Sequence, residues 1–137
     1  MSKQLIDQIT QVTSGSAVFV GSVSRYYNGV TGGYSDVDTW IPSSSLQALK
    51  DNFTVLDSQT NWTGIIDQAF LIYYNSGSGK RYHDVFVSEN EPSSSLISGS
   101  KFQTSEYDLH IHRQAASSIG SQYLHDKVQM LETLYGV

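Results

Sequence analysis

A chain of 137 residues is one domain's worth, long enough to bury a single sizeable core. Hydrophobic residues make up 39% and aromatics 12%, which excludes a disordered chain. Eight Lys+Arg against thirteen Asp+Glu, net charge −5, argue against an extended nucleic-acid partner or an anionic membrane surface, since both need clustered cations. The lack of cysteine excludes a disulfide framework, a thiolate zinc site and a cysteine nucleophile, and it fits a reducing compartment. Met1 to Asp7 reads as no signal peptide, and apolar runs such as Ala69 to Tyr74 fall far short of a membrane span. The sequons at Asn52 and Asn61 carry no weight without a secretion signal.

In chain order, residues 3–12 place Leu5, Ile6, Ile9 and Val12 on one helical stripe, broken by Ser14-Gly15-Ser16. Ala17 to Val20 reads as a short buried strand that stops at Gly21-Ser22. A helix can start at 22–28, and Gly29, Gly32 and Gly33 make the next segment a loop. Asp36 to Ile41 alternates as a strand, and Pro42 with a serine cap opens a helix through Leu49. Phe53 to Leu56 is a strand. Ile65 to Tyr74 holds another, joined through a turn at Asn75 to Gly79 to a partner at Arg81 to Val87. Glu89 to Gly99 reads as a loop, and Tyr107 to His112 as a further strand. Ile119, Tyr123, Leu124, Val128, Leu131 and Leu134 mark one C-terminal helix over about 115–134. The expected fold is therefore α/β (α+β) in a single domain, 1–137: a mixed β-sheet with a β-hairpin, covered by helices on one face.

The chemistry concentrates in Val20-Gly21-Ser22 and Asp36-Val37-Asp38. A strand running through Gly-Ser into a helix exposes backbone N–H groups, a phosphate cradle to which Ser22 and Ser24 add hydroxyls and Arg25 a cation. Asp36 and Asp38, two apart on a strand, point to one face, and carboxylates that close repel unless a cation lies between them. Magnesium suits such a pair together with phosphate oxygens. A third acid would complete a two-metal arrangement, and Asp84, facing opposite to Val85 and Val87, is the best candidate.

Gly21-Ser22, the spacer, Ser35-Asp36-Val37-Asp38 and His83-Asp84-Val85-Phe86-Val87 resemble the nucleotidyltransferase superfamily, the polymerase-beta-like fold, over roughly residues 15–90. The chain looks like a minimal, stand-alone member. The resemblance implies transfer of a nucleotidyl group from a nucleoside triphosphate, ATP among them, to a hydroxyl acceptor, with pyrophosphate released and two Mg2+ ions bound. Gly21, Ser22, Ser24 and Arg25 would hold phosphates. Asp36 and Asp38 would bind both metals, and Asp84 the metal beside the attacking hydroxyl. The acidic balance favours a protein side chain or a small molecule as acceptor.

Other readings stand beside this one. Asp108, His110 and His112 would share a strand face and could ligate a transition metal, Asp108 being also the fallback third acid. Tyr26, Tyr27, Tyr34 and Trp40 offer faces on which a base could stack. The serine-rich, low-charge style suits a phage-encoded protein, in which the fold could serve as an inactive binding or virion-assembly module. A nucleotide sensor would keep the cradle without turnover. The expected location is the cytoplasm of a bacterial or phage-infected cell, with the virion as the alternative.

Overall fold

The computed structural model describes residues 2–77 and 79–137, so Ser78 of the expected turn lies outside the described residues. Among these the chain forms α1 (Ser2–Val12), β1 (Val18–Val20), α2 (Gly21–Tyr27), β2 (Asp38–Ile41) and, after a 3-10 turn, α3 (Leu46–Asn52). Then come β3 (Thr54–Ser58), β4 (Gln68–Tyr73), β5 (Tyr82–Val87), β6 (Ser94–Ile97) and β7 (Ser100–Gln103). Helices α4 (Ser105–Ile119) and α5 (Gln122–Tyr135) complete the chain.

One mixed sheet runs in the order β3-β4-β5-β2-β1-β7-β6. The β2–β5 and β1–β7 pairs are parallel and the other four are antiparallel. Strand alternation decides which side chains enter the core. Phe19, Ile41, Ile72 and Val85 meet Leu5, Ile6 and Ile9 of α1 and Leu49 of α3, all essentially without solvent contact. Each such side chain contributes about 1.5–3 kcal/mol on burial. A smaller cluster, Ala115, Ala116 and Leu124 with Trp62 and Ile65 against it, fixes the α4–α5 pair to the 62–65 turn. Among the described residues no helix is long and apolar enough to cross a membrane.

Four expectations need correction. Residues 105–119 are helical rather than a strand at 107–112: Thr104 accepts from Tyr107 N–H as N-cap, and Glu106 and Asp108 sit in the first turn, where the helix dipole favours acids. The C-terminal helix is two helices. Gly120 ends α4 in the left-handed conformation (φ 74°), and Ser121 caps α5 by accepting from Leu124 N–H. The loop at 89–99 contains β6, paired with β7 through a tight turn whose Ser98 and Gly99 both have positive φ, 51° and 87°. Finally, β2 begins at Asp38, so Asp36 stands in the loop before it.

Candidate active site

The site forms where β1 ends. Antiparallel pairing sets Val20 opposite Asp38, and Gly21 then turns the chain into α2 with φ 66°. A Cβ at position 21 would lie 2.7 Å from Asp38 Oδ2, so both the backbone angle and the contact demand glycine. The parallel register of β2 on β5 (Thr39 with Val85, Trp40 with Phe86) brings Asp84 alongside Asp38. Asp36 is placed by the loop, and the loop is held by His83. Val37 N–H donates to His83 Nδ1 at 3.0 Å, which leaves the ring proton on Nε2 to donate to the Lys80 carbonyl at 3.1 Å. Burial lowers the His83 pKa, keeping the imidazole neutral as this bonding requires.

Carboxylate oxygens of Asp36, Asp38 and Asp84 thus come within 4.8 Å of one another. Burial first, then the charges of Asp84 and Asp36, push the Asp38 carboxyl up to about 7. Burial also raises Asp84. Asp36 Oδ1 and Asp38 Oδ1 are buried with no hydrogen-bond partner among the described residues; Thr39 Oγ1 is the one other such atom. Three acids held together with two orphaned oxygens fit a hard divalent cation, whose ligands are oxygens and whose charge would offset the repulsion. Lys80 Nζ, 3.0 Å from Asp36 Oδ2, supplies part of that compensation, and the bond raises its own pKa.

A second buried group lies across from the acids. Arg25 donates from Nε to Asp108 Oδ2 (2.9 Å) and from Nη2 to Oδ1 (3.2 Å). Tyr135 donates its hydroxyl to the same carboxylate, and His112 Nδ1 lies 3.2 Å from Oδ1. Burial alone would raise the Asp108 pKa, but the bonds from His112, Arg25 and Tyr135 hold it down at about 2. Burial and the bond to Asp108 push Tyr135 up to about 12.

Between these groups lies a cleft of about 480 Å³. Asp36, Asp38 and Trp40 line it from the sheet side, with Trp62, His112 and Lys127 on the other side. The α4–α5 pair therefore walls the face opposite α1 and α3, where helices on one face only were expected.

Of the expected phosphate contacts, Gly21, Ser22 and Arg25 line the cleft, Arg25 being buried and paired with Asp108. Ser24 is buried, and its hydroxyl donates to the Gly21 carbonyl at 2.7 Å, bracing the turn from inside. Asp108 does not join the acid trio. On a helix, His110 points away from His112, so the Asp108–His110–His112 site does not form, and the trio is the one such cluster among the described residues. Tyr26, Tyr27 and Tyr34 pack on one another, with Tyr27 stacked on Phe102 at 4.4 Å. Trp40 does face the cleft, its indole N–H donating to Ser88 Oγ at 2.8 Å. Sequence reasoning missed Lys80, the positioning role of His83 and the Arg25–Asp108 pair. Only the alternation that put His83 on the core side with Val85 and Val87 gave a signal.

No family model and no curated protein matches the chain. Among solved structures it is similar to a nucleotidyltransferase candidate from H. pylori, with TM-score 0.51 and 15% identity over 80% of this chain and 55% of that one. JHP933 from Helicobacter pylori aligns over the same shares with TM-score 0.47 and 12% identity. The protein has a nucleotidyltransferase-like fold. It spans about half the length of those two chains.

Proposed function

We propose that the protein is a metal-dependent nucleotidyltransferase acting on a nucleoside triphosphate and a hydroxyl acceptor. The observation that carries the reading is the carboxylate trio, with two buried oxygens lacking partners, set against the Gly21 turn. In the transfer, the acceptor oxygen forms a bond to the α-phosphorus. The α–β bridging bond breaks, the hydroxyl proton departs and pyrophosphate leaves. Asp36 and Asp38 would hold two Mg2+ ions, and Asp84 would hold the one beside the acceptor. The ions would supply charge neutralisation on the phosphates and a more acidic acceptor hydroxyl. The chain's own groups do the rest. Gly21 and Ser22 present backbone N–H groups and a hydroxyl to the phosphate chain. His83 holds the Asp36 loop in place, and Asp108 fixes the guanidinium of Arg25 at the cleft wall. Trp40 and Trp62 offer apolar faces within the cleft.

One observation favours a non-catalytic binding module of the same fold: the Lys80 ammonium already sits on Asp36. Calorimetry with the four ribonucleoside triphosphates, with and without Mg2+, separates the two readings. The transferase requires binding that depends on the metal and is lost in Asp36→Asn/Asp38→Asn. It also requires that a labelled α-phosphate appear on an acceptor with release of pyrophosphate. Nucleotide binding that ignores both the metal and the double substitution would leave the module reading standing.

A further inference from the structure

Among the described residues three cationic side chains are at least partly buried: Arg25, Lys101 and Lys127. Arg25 is paired with Asp108, and Lys101 with Glu91 at 3.3 Å. Lys127, on α5, lines the cleft half-buried and has neither ion pair nor hydrogen bond among the described residues. Burial first, then the charge of Arg25, lowers its pKa against the opposing charges of Asp108 and Asp38, neither of which is in contact with it. A half-buried charge without a contacting counterion is poorly compensated, and the cleft that Lys127 lines is open to an anion.

A second group in the same cleft is also unspent. Gln103 is 4% exposed and lines the cleft at the end of β7. Its backbone carbonyl accepts from Asn28 Nδ2 at 2.9 Å, yet its side-chain amide has no partner among the described residues. The amide atoms of Gln103 are not among the fully buried unpartnered atoms, so they keep contact with solvent in the cleft, where a ligand group can take the place of water. An ammonium and an amide N–H that both line one cleft suit a tetrahedral or planar oxyanion.

We infer that Lys127 and Gln103 form an anion subsite, separate from the carboxylate trio, that takes a phosphate or carboxylate group of the acceptor. The subsite itself stands on the cleft geometry; its assignment to the acceptor rests on the proposed transfer, in which Gly21, Ser22 and the trio already account for the triphosphate. The acceptor is then an anionic molecule.

The test is an NMR titration of the 15N-labelled protein with inorganic phosphate, without divalent metal and at constant ionic strength. Saturable shifts are expected at the Gln103 side-chain amide and along α5. Lys127→Met should weaken binding about tenfold or more, the loss of one charge-assisted hydrogen bond, and Lys127→Arg should restore most of it. Asp36→Asn/Asp38→Asn should bind phosphate as well as the wild type, so a failed transfer reading leaves this arm intact. Absence of saturable binding, or equal affinity in Lys127→Met with an unchanged fold, overturns the subsite. The same titration is then run with saturating Mg2+ and a non-hydrolysable nucleoside triphosphate. Retained phosphate binding is the expected result. Competition would hand the subsite to the nucleotide's own phosphates and overturn the acceptor assignment.

Discussion

Replacing Asp38 by asparagine should stabilise the metal-free protein at alkaline pH, even though it removes a residue central to the proposed chemistry. Burial, then the charges of Asp84 and Asp36, raise the Asp38 carboxyl from 3.8 to about 7, against the pull of Lys80 and Arg25. Between those two values the native protein holds a proton that the unfolded chain has lost. Stability therefore falls as pH rises through that window and levels off above it. Three units at ~1.4 kcal/mol each set a ceiling of about 4 kcal/mol on the penalty at pH 8. Local relaxation and water entry reduce it, so Asp38→Asn should gain about 2 kcal/mol there, or roughly 6 °C in Tm for a domain of this size. At pH 4, where Asp38 of the native wild type is already protonated, the gain should shrink to nearly zero. Urea and thermal unfolding in EDTA at the two pH values measure it. A variant less stable than wild type at pH 8, or a gain equal at both pH values, would refute the argument. Mg2+ should then reverse the ranking, because an ion that binds the native carboxylates alone stabilises the wild type by mass action.

Gly21→Ala should cost about 1–3 kcal/mol in urea unfolding, because the new Cβ meets Asp38 Oδ2 at 2.7 Å on a backbone with φ 66°. Asp108→Ala leaves Arg25 buried and unpaired, so a loss of about 3–5 kcal/mol is expected, with limited proteolysis cutting first in α4 and α5. Because the native Asp108 pKa is held below 3.8, at about 2, its stabilisation is full above pH 4 and fades as pH falls through 2; the variant should lack that component of acid unfolding. His83→Leu removes the acceptor of Val37 N–H and should cost about 1–3 kcal/mol. Burial lowers the His83 pKa, so the unfolded chain binds a proton first as pH drops below 6.5; wild-type Tm should fall there and that of His83→Leu should fall less.

The half of the site carried by the sheet was legible because it is local. Strand alternation fixes which way Asp38 and Asp84 point, and the Gly21-Ser22 turn marks where β1 must end. The same alternation misplaced Asp36 only by its element: the residue sits in the loop before β2, yet reaches the trio because His83 holds Val37. The helical half was legible only in part: the stripe from Tyr123 to Leu134 marks α5, but nothing marked α4 as helical before residue 115. Tyr107 to His112 satisfies a period of two as readily as one face of a helix, and the deciding feature is the Thr104 cap with Glu106 and Asp108 after it. Once that segment is helical, Asp108 and His112 become neighbours one turn apart and His110 leaves the group.

The partner of Arg25 lies 83 residues away, on α4. No periodicity reports a contact at that separation, and the sequence reading of Arg25 as a phosphate contact named no partner for it. Its burial changes the character of the cleft. With Asp108 paired to Arg25, Lys127 is the cation on the α4–α5 wall without a contacting partner among the described residues, while the sheet side holds the carboxylate trio, with Lys80 on Asp36 and the charge of Arg25 also acting on Asp38. The field across the cleft therefore has a direction: a cation is drawn to the sheet and an anion to α5. A ligand whose two ends differ in that way is oriented before any specific contact forms. On the proposed reading, this orientation decides which substrate enters on which side.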